Sequence, residues 1–174
     1  MKLVRWTRFT WNLSELPPIA GALDSRYTIR AAARDEEQAV ATLIQRAFSM
    51  DSQWSDQYVT FRDRLQLQLH QAFDRGALPA IVILHGFRIV AASVLSSEVE
   101  ADSNLLSGPC VLSEYCNRGL GSALLHESLV QLAHAGLERA HGISKDGTLA
   151  CRFVYSKFGS TCADCEFQQP PVTS

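Results

Sequence analysis

The amino-acid sequence predicts a single α+β domain with a mixed, mostly antiparallel sheet, on three observations. Its 174 residues are 47% hydrophobic and 20% charged, which suits one globular domain with one sizeable core. Apolar residues recur at three- and four-residue spacing over residues 35–48 and 57–73, a pattern typical of two amphipathic helices. Runs rich in Val, Ile and Ala at 80–84 and 88–96 flank a three-residue link and predict an antiparallel hairpin.

The remaining elements follow from periodicity and local breakers. Leucines on one face predict a long helix over residues 119–135, which Gly136 ends. A shorter helix is expected over residues 149–157. The other strands are predicted at residues 27–31, 105–112, 139–143 and 161–167. Gly108 and Pro109 interrupt the second of these strands, so we expect a bulge or a splayed strand there.

Three segments divide the chain. Residues 1–26 are predicted to form an N-terminal extension, because Pro17 and Pro18 disrupt regular structure. Residues 27–167 form the folded domain, and residues 168–174 form a loose tail. The extension carries three aromatic residues that we expect to cover the core or to contact a second copy of the chain. A homodimer is therefore an open possibility.

The charge pattern and the cysteines argue against several classes of protein. The formal net charge is −2 and no basic stripe is present, which argues against nucleic-acid and membrane partners. The apolar runs are only strand-sized and the first residues lack a continuous apolar stretch, so we expect a cytoplasmic protein. Five scattered cysteines indicate reduced thiols. The Cys162 and Cys165 pair has no second paired motif, so no metal site is predicted.

A glycine-containing turn before the long helix is the strongest local signal for a ligand. Arg118 to Ser122 read Arg-Gly-Leu-Gly-Ser and lie between the apolar run 110–112 and the helix. The first N–H groups of a helix have no partner within it, and the helix dipole adds about half a positive charge there. Because glycine has no Cβ, the backbone can approach a phosphate closely. The turn therefore predicts a site for a phosphate-containing ligand.

Two motifs in this order resemble those of the GNAT superfamily, the acyl-CoA-dependent N-acyltransferases. The run from Gly108 to Leu125 resembles the family's acetyl-CoA motif, in which Gln or Arg precedes x-x-Gly-x-Gly or Ala. The run from Phe153 to Gly159 resembles the family's later signature, Tyr-x-Lys-x-Gly. The resemblance covers residues 27–167. It implies a GNAT-like α/β sandwich in which the fourth strand splays from the fifth.

The resemblance also implies that the chain binds acetyl-CoA and releases coenzyme A. In the family the pantetheine arm lies against the fourth strand, and backbone amides of the glycine turn hold the pyrophosphate. The residues expected to bind the cofactor are Cys110, Val111, Leu112, Cys116, Asn117, Arg118, Gly119, Leu120, Gly121 and Ser122. Cys116 stands where the family pattern has Gln or Arg, and Arg118 is the candidate to supply positive charge in its place.

The same resemblance assigns catalytic and acceptor-binding roles. Tyr155 is expected to protonate or stabilise the leaving thiolate, the alternative being a tyrosine that packs beside the cofactor. Glu98 and Glu100 are candidates to accept a proton from the amine, the alternative being solvated surface charges. Asp51 and Trp54 fall where the family's first two helices form one wall of the acceptor site. We therefore expect acetyl transfer, by direct attack, to a primary amine of a small molecule or peptide.

Two other functions stay open. A non-catalytic domain that binds or senses acyl-CoA would fit Cys116 and the lack of an obvious base. An interaction protein would act through its aromatic N-terminal extension and keep a vestigial site. Binding of acetyl-CoA without turnover would favour the first. Loss of oligomerisation on removal of residues 1–20, with cofactor binding spared, would favour the second.

Overall fold

Two antiparallel sheets organise residues 5–165, which a computed structural model describes apart from the side chain of Asp56. The strands are β1 (Trp6–Asn12), β2 (Tyr27–Ala31), β3 (Ala80–His85), β4 (Arg88–Val94), β5 (Cys110–Val111), β6 (Arg139–Lys145) and β7 (Thr161–Cys165). The helices are α1 (Glu37–Met50), α2 (Ser55–Arg75), α3 (Leu120–His134) and α4 (Leu149–Phe153). One sheet has the strand order β2-β3-β4-β5 and the other has the order β6-β1-β7. The predicted α+β class is confirmed.

Helices cover both faces of the four-stranded sheet. Along β3, Val82 packs with the apolar residues of α1 and α2, whereas Ile81 and Ile83 pack with the leucines of α3. All of β3 except His85 is buried, as expected for a strand between two helical layers. The predicted hairpin is confirmed, and Gly86 makes its turn with a φ of 62°.

The N-terminal segment differs from the prediction. We expected an irregular extension over residues 1–26, but Trp6–Asn12 forms the middle strand of the second sheet, antiparallel to both β6 and β7. Phe9 and Trp11 are buried in the core, so these aromatic residues do pack on the main body. The prolines that suggested an arm follow the strand rather than interrupt it. The strand was missed because its partners lie at the other end of the chain.

The predicted fourth strand is the least regular element of the fold. It was expected over residues 105–112, but only Cys110–Val111 forms a strand, preceded by a single bridge between Leu105 and Leu95. Gly108 has a φ of 65° and Pro109 has no N–H group, so the ladder cannot continue through them. The interruption that the sequence predicted is therefore present, and it shortens the strand further than expected.

The splay between the fourth and fifth predicted strands is confirmed as a separation into two sheets. Within residues 5–165, β5 pairs with β4 and not with β6, and every ladder is antiparallel rather than mixed. The sheets meet where the N–H groups of Asn104 and Leu105 donate to the carbonyl oxygen of His141, at 2.8 and 3.2 Å. Beyond this junction, no backbone hydrogen bond joins residues 106–112 to β6 in the described chain, so a cleft opens between them.

The other helices and strands agree with prediction within a few residues. α3 is as expected, whereas α4 ends at Phe153 instead of residue 157. The last predicted strand is found over Thr161–Cys165, while its expected last two residues and the tail 168–174 lie outside the described residues. No helix within residues 5–165 combines the length and the apolar character needed to cross a membrane.

Candidate functional site

The turn before α3 has the backbone geometry that the glycine motif predicted. Asn117 and Gly119 have φ values of 61° and 76°, in the left-handed region that glycine adopts without strain. Gly119 is the N-cap of α3, and within residues 5–165 no side chain hydrogen-bonds to the first amides of the helix. With the positive end of the helix dipole, these amides have the geometry expected of an anion site.

The two motifs contain two cationic side chains, Arg118 and Lys157. Of these, the charged group of Lys157 is the one that contacts the first turn of α3. The ammonium group of Lys157 donates to Ser122 Oγ at 2.8 Å, within the first turn of α3. The guanidinium of Arg118 instead donates to the hydroxyl of Tyr27 at 3.1 Å and lies 5.3 Å from the ring centroid of Tyr115. The phosphate role predicted for Arg118 therefore suits Lys157 better. Lys157 was missed in the sequence, although it is part of the second motif.

The edge of β5 is open on the side that faces the cleft. The N–H of Leu112 donates to the carbonyl of Val90 in β4 at 3.0 Å. Because backbone groups alternate along a strand, the N–H and carbonyl of Val111 point the other way, into the cleft. The N–H of Val111 is therefore placed to pair with an extended amide-containing group. By the same alternation the N–H and carbonyl of Cys110 point toward β4, and its side chain is buried, which raises the pKa of its thiol to about 12.

Gly121 forms part of the cleft floor. A Cβ built on it would lie 3.7 Å from Val154 Cγ2 and 4.0 Å from Val111 Cγ2. The first turn of α3 therefore packs between the end of α4 and the edge of β5. An alanine fits at this position, whereas a large side chain would fill the space between the three elements.

Tyr155 lies at the inner end of the cleft. Its ring packs on Phe9 and Trp11 of β1, with centroid separations of 5.4 and 5.9 Å. Its hydroxyl lies against the backbone of Gly108, where a Cβ would overlap it. Burial, and after it the nearby Cys110 and Cys151, raise the pKa of Tyr155 well above its ordinary value. The phenol is therefore protonated at neutral pH, as a proton donor must be.

A cavity of about 890 Å³ brings together some of the residues predicted for the acceptor site. Trp54, Glu98 and Glu100 line it, together with Ser107, the residue before Gly108. Trp54 packs on Phe48 and Phe61 and is half-buried, whereas both glutamates are exposed. Trp54 is therefore anchored in the core and also lines the cavity, and its role in binding an acceptor stays a prediction.

Asp51 has a different place from Trp54. It is not among the residues that line the cavity, and its carboxylate accepts the N–H of Gln53 at 2.9 Å in the turn between α1 and α2. Gln53 in turn accepts from Lys145 and from the N–H of Leu149, which ties this turn to β6 and α4. Asp51 therefore shapes the wall that carries Trp54.

The thiol of Cys116 does not have the environment of a reactive cysteine. A thiol beside a helix N-terminus commonly has a lowered pKa. Instead, partial burial and the carboxylates of Asp51 and Glu114 raise that pKa. The thiol donates weakly to the carbonyl oxygens of Leu112 and Val111, at 3.6 and 3.9 Å. It closes the loop between β5 and α3 and carries no positive charge toward the anion site.

The arrangement of helices, sheets and cleft matches solved N-acetyltransferase structures at low sequence identity. A GCN5-related N-acetyltransferase from Sphaerobacter thermophilus aligns with a TM-score of 0.60 and 18% identity, over 94% of this chain and 50% of that one. An acetyltransferase of the GNAT family from Colwellia psychrerythraea aligns with a TM-score of 0.63 and 16% identity, over 93% of this chain and 54% of that one. The chain has the GNAT fold.

This chain spans about half the length of the solved GNAT structures that it matches. A third structure, a GCN5-related N-acetyltransferase from Kribbella flavida, aligns with a TM-score of 0.58 and 12% identity, over 93% of this chain and 58% of that one. No protein-family model and no curated protein matches the sequence. At these identities the likeness establishes the fold, so the activity has to be argued from the residues of the site.

Within this GNAT fold, two further residues shape the cavity and were missed in the sequence. Asn104 is fully buried: it accepts the N–H of His141 at 2.9 Å and donates to the carbonyls of Ser96 and Glu98, at 3.0 and 3.1 Å. It therefore fixes the start of the loop that carries both candidate glutamates. Arg8, in β1, also lines the cavity. Neither residue gave a signal, because each acts on chain segments far away in the sequence.

Proposed function

We propose that this chain is an acetyl-CoA-dependent N-acetyltransferase that acts on a primary amine. The observation that carries the proposal is the cleft between β5 and β6. It has an open strand edge at Val111, an anion site at Gly119–Ser122 and the protonated phenol of Tyr155 at its inner end. A cavity with aromatic and acidic lining residues extends to Ser107, next in the chain to the Gly108 that contacts Tyr155.

The chain's own residues fit an acyl-CoA molecule. The outward-facing N–H of Val111 suits a carbonyl of a pantetheine arm, whose amides pair like an added strand. The amides of the first turn of α3, with the ammonium of Lys157 beside Ser122, suit the pyrophosphate. Gly121 leaves the space between Val111 and Val154 that a longer side chain would fill. Acetyl-CoA, bound there, would supply an acyl group activated as a thioester.

Tyr155 is the group we assign to the leaving sulfur. In acyl transfer a bond from the amine nitrogen to the acyl carbon forms, the carbon–sulfur bond breaks, and its electron pair leaves on sulfur. A protonated phenol at that place neutralises this charge by giving its proton to sulfur. Because burial keeps Tyr155 protonated, and because the rings of Phe9 and Trp11 fix its orientation, little rearrangement is needed.

The amine loses one proton in the same reaction, and the loop that begins at Glu98 is our candidate to receive it. Glu98 and Glu100 face the cavity, and Asn104 holds the backbone at Glu98. Both carboxylates are exposed to solvent. A water molecule between the carboxylate and the amine therefore suits the transfer of the proton. The base is therefore assigned to this loop rather than to one residue.

A second candidate is a domain that binds acyl-CoA without turning it over. Cys116 carries no charge at the position where the family pattern has Gln or Arg, and Arg118 is engaged with Tyr27 and Tyr115. The third function, an interaction arm, has less support, because Trp6–Asn12 is integrated into the chain's own sheet.

Calorimetry with acetyl-CoA, followed by thiol release over a panel of primary amines, tests the proposal. Micromolar binding that Gly121→Trp abolishes is expected, whereas His134→Trp, exposed at the far end of the same helix, should bind normally. Binding together with amine-dependent thiol release supports the enzyme. Binding without release from any amine supports the second candidate. No binding at millimolar acetyl-CoA contradicts both.

A further inference from the structure

Arg8 lines the 890 Å³ cavity and has a buried donor without a partner. Its Nε atom is inaccessible to solvent and finds no hydrogen-bond acceptor within residues 5–165. No carboxylate in this part of the chain forms an ion pair with its guanidinium. Buried charged donors are normally paired, so a guanidinium that lines a cavity and has no partner within residues 5–165 indicates a missing acceptor.

The sheet around Arg8 offers no such acceptor. The residues opposite Arg8 in the neighbouring strands are Ile143 in β6 and Ala163 in β7, and neither carries a polar side chain. His141 lies in β6, two residues from Ile143, and is half-buried. Burial, and after it the charges of Arg8 and Arg139, lower the pKa of its imidazole. A ligand group that pairs with Arg8 must therefore be an anion or a strong acceptor that enters through the cavity.

The same cavity also has acidic lining residues. Glu98, Glu100 and Asp102 line it on the loop after β4, where Asn104 fixes the backbone at Glu98. A cavity lined both by the unpaired guanidinium of Arg8 and by these carboxylates matches a molecule with both charges. Arg64 and Arg75 of α2 line it as well.

Part of the cavity wall is aromatic. Trp6 and Trp54 lie 5.9 Å apart by ring centroids, and Phe48 and Phe61 continue the surface from α1 and α2. Trp6 lies on the same face of β1 as Arg8, since side chains alternate along a strand. This wall suits a large apolar or aromatic side chain on the ligand.

We propose that the acceptor is an α-amino acid with an aromatic or large apolar side chain, whose carboxylate binds Arg8. The planar guanidinium presents paired donors to a carboxylate, and the aromatic wall takes the side chain. The amine is then directed toward Glu98 and Glu100, which the proposed function already assigns to proton transfer. This inference rests on the proposed acetyl transfer, and it adds the class of substrate and the residue that selects it.

Matched acceptors test the proposal through acetyl-CoA-dependent thiol release. Phenylalanine and phenethylamine differ in the carboxylate, and each is assayed with the native chain, Arg8→Gln and Arg139→Gln. The native chain is expected to prefer phenylalanine by at least about tenfold in kcat/KM. Arg8→Gln should lower kcat/KM for phenylalanine about 10- to 100-fold and leave phenethylamine within about twofold. Arg139→Gln, an exposed charge outside the cavity, should preserve the preference.

A binding measurement separates failure of this inference from failure of the proposed function. Calorimetry with phenylalanine, with and without coenzyme A, reports the Arg8 site even if no amine is acetylated. Binding that Arg8→Gln abolishes supports the site, and thermal unfolding checks that the variant is folded. Absence of phenylalanine binding at millimolar concentration, equal use of phenethylamine by the native chain, or a preference that survives Arg8→Gln would each overturn the inference.

Discussion

The hydroxyl of Tyr155 lies against the backbone of Gly108, so closely that a Cβ on the glycine would overlap it and lie 3.3 Å from Cζ of the ring. Gly108 also has a φ of 65° and ends the irregular segment before β5. One glycine therefore interrupts the strand, helps open the cleft and leaves room for the proposed acid. Gly142 in β6 also leaves room for the Tyr155 ring, since a Cβ there would lie 2.9 Å from it.

Gly108→Ala is expected to move Tyr155 and to destabilise the fold. The left-handed φ alone costs about 1 kcal/mol for an alanine, and the overlap with a buried ring adds about 1–3 kcal/mol. Gly86→Ala is the matched control, because Gly86 has a similar φ of 62° and nothing within 4 Å of a Cβ. Urea unfolding of both variants measures the difference. Equal losses of unfolding free energy would contradict a tight contact at Gly108.

Tyr155→Phe should remove the proton donor and keep the packing. We expect kcat to fall about 100-fold, with acetyl-CoA affinity unchanged, because the ring still packs on Phe9 and Trp11. Tyr58→Phe, a buried tyrosine in α2 that does not line the cavity, serves as control and should keep full activity. Since burial raises the pKa of Tyr155, its ionisation should not limit the rate below about pH 10 in the native chain. If the Tyr155→Phe variant keeps the native kcat, Tyr155 has only a packing role.

Lys157→Met should weaken acetyl-CoA binding by about tenfold, since one charge-assisted contact to a phosphate is lost. The loss should shrink at high salt, because the ammonium group is exposed. Arg152→Met removes an exposed cation from α4 with no contact to α3 and is the charge-matched control. Calorimetry at two salt concentrations measures both effects. If both variants bind equally well, the charge beside Ser122 has no role in binding.

Neutralising the acidic loop tests the assignment of the base. In Glu98→Gln together with Glu100→Gln, we expect kcat/KM to fall about 100-fold near neutral pH, as is typical for loss of a general base. The fall should diminish at higher pH, where more of the amine is already unprotonated. Acetyl-CoA binding should be unaffected, which calorimetry can verify. Unchanged turnover in the double variant would rule out a role for these carboxylates.

The buried thiol of Cys110 predicts a loss of stability in alkali. Its folded pKa of about 12 lies above the ordinary value of 9.0, so the stabilisation is complete below pH 9 and is lost as pH rises toward 12. From about pH 9 to about pH 10.5 the native chain should lose about 2 kcal/mol more than Cys110→Ala, by urea unfolding. Cys162→Ala, an exposed thiol, should behave like the native chain. A parallel pH dependence in Cys110→Ala would contradict this burial effect.

Local signals in the sequence determined most of the helices and strands and the glycine turn at the proposed anion site. The hairpin, the two amphipathic helices and the glycine turn before α3 each depend on neighbouring residues, so periodicity and breakers predicted them. The interruption at Gly108 and Pro109 was predicted for the same reason, because it follows from their backbone chemistry. The order of the two motifs also linked Tyr155 to the glycine turn.

Tertiary structure alone decided how distant segments combine. Trp6–Asn12 became a central strand because β6 and β7, at the other end of the chain, supply the hydrogen bonds on both of its sides. That pairing also carries Arg8 into the cavity. Lys157 reached Ser122, and Asn104 reached His141, for the same reason. Burial and strand pairing fix such contacts across the whole chain, and no local pattern encodes them.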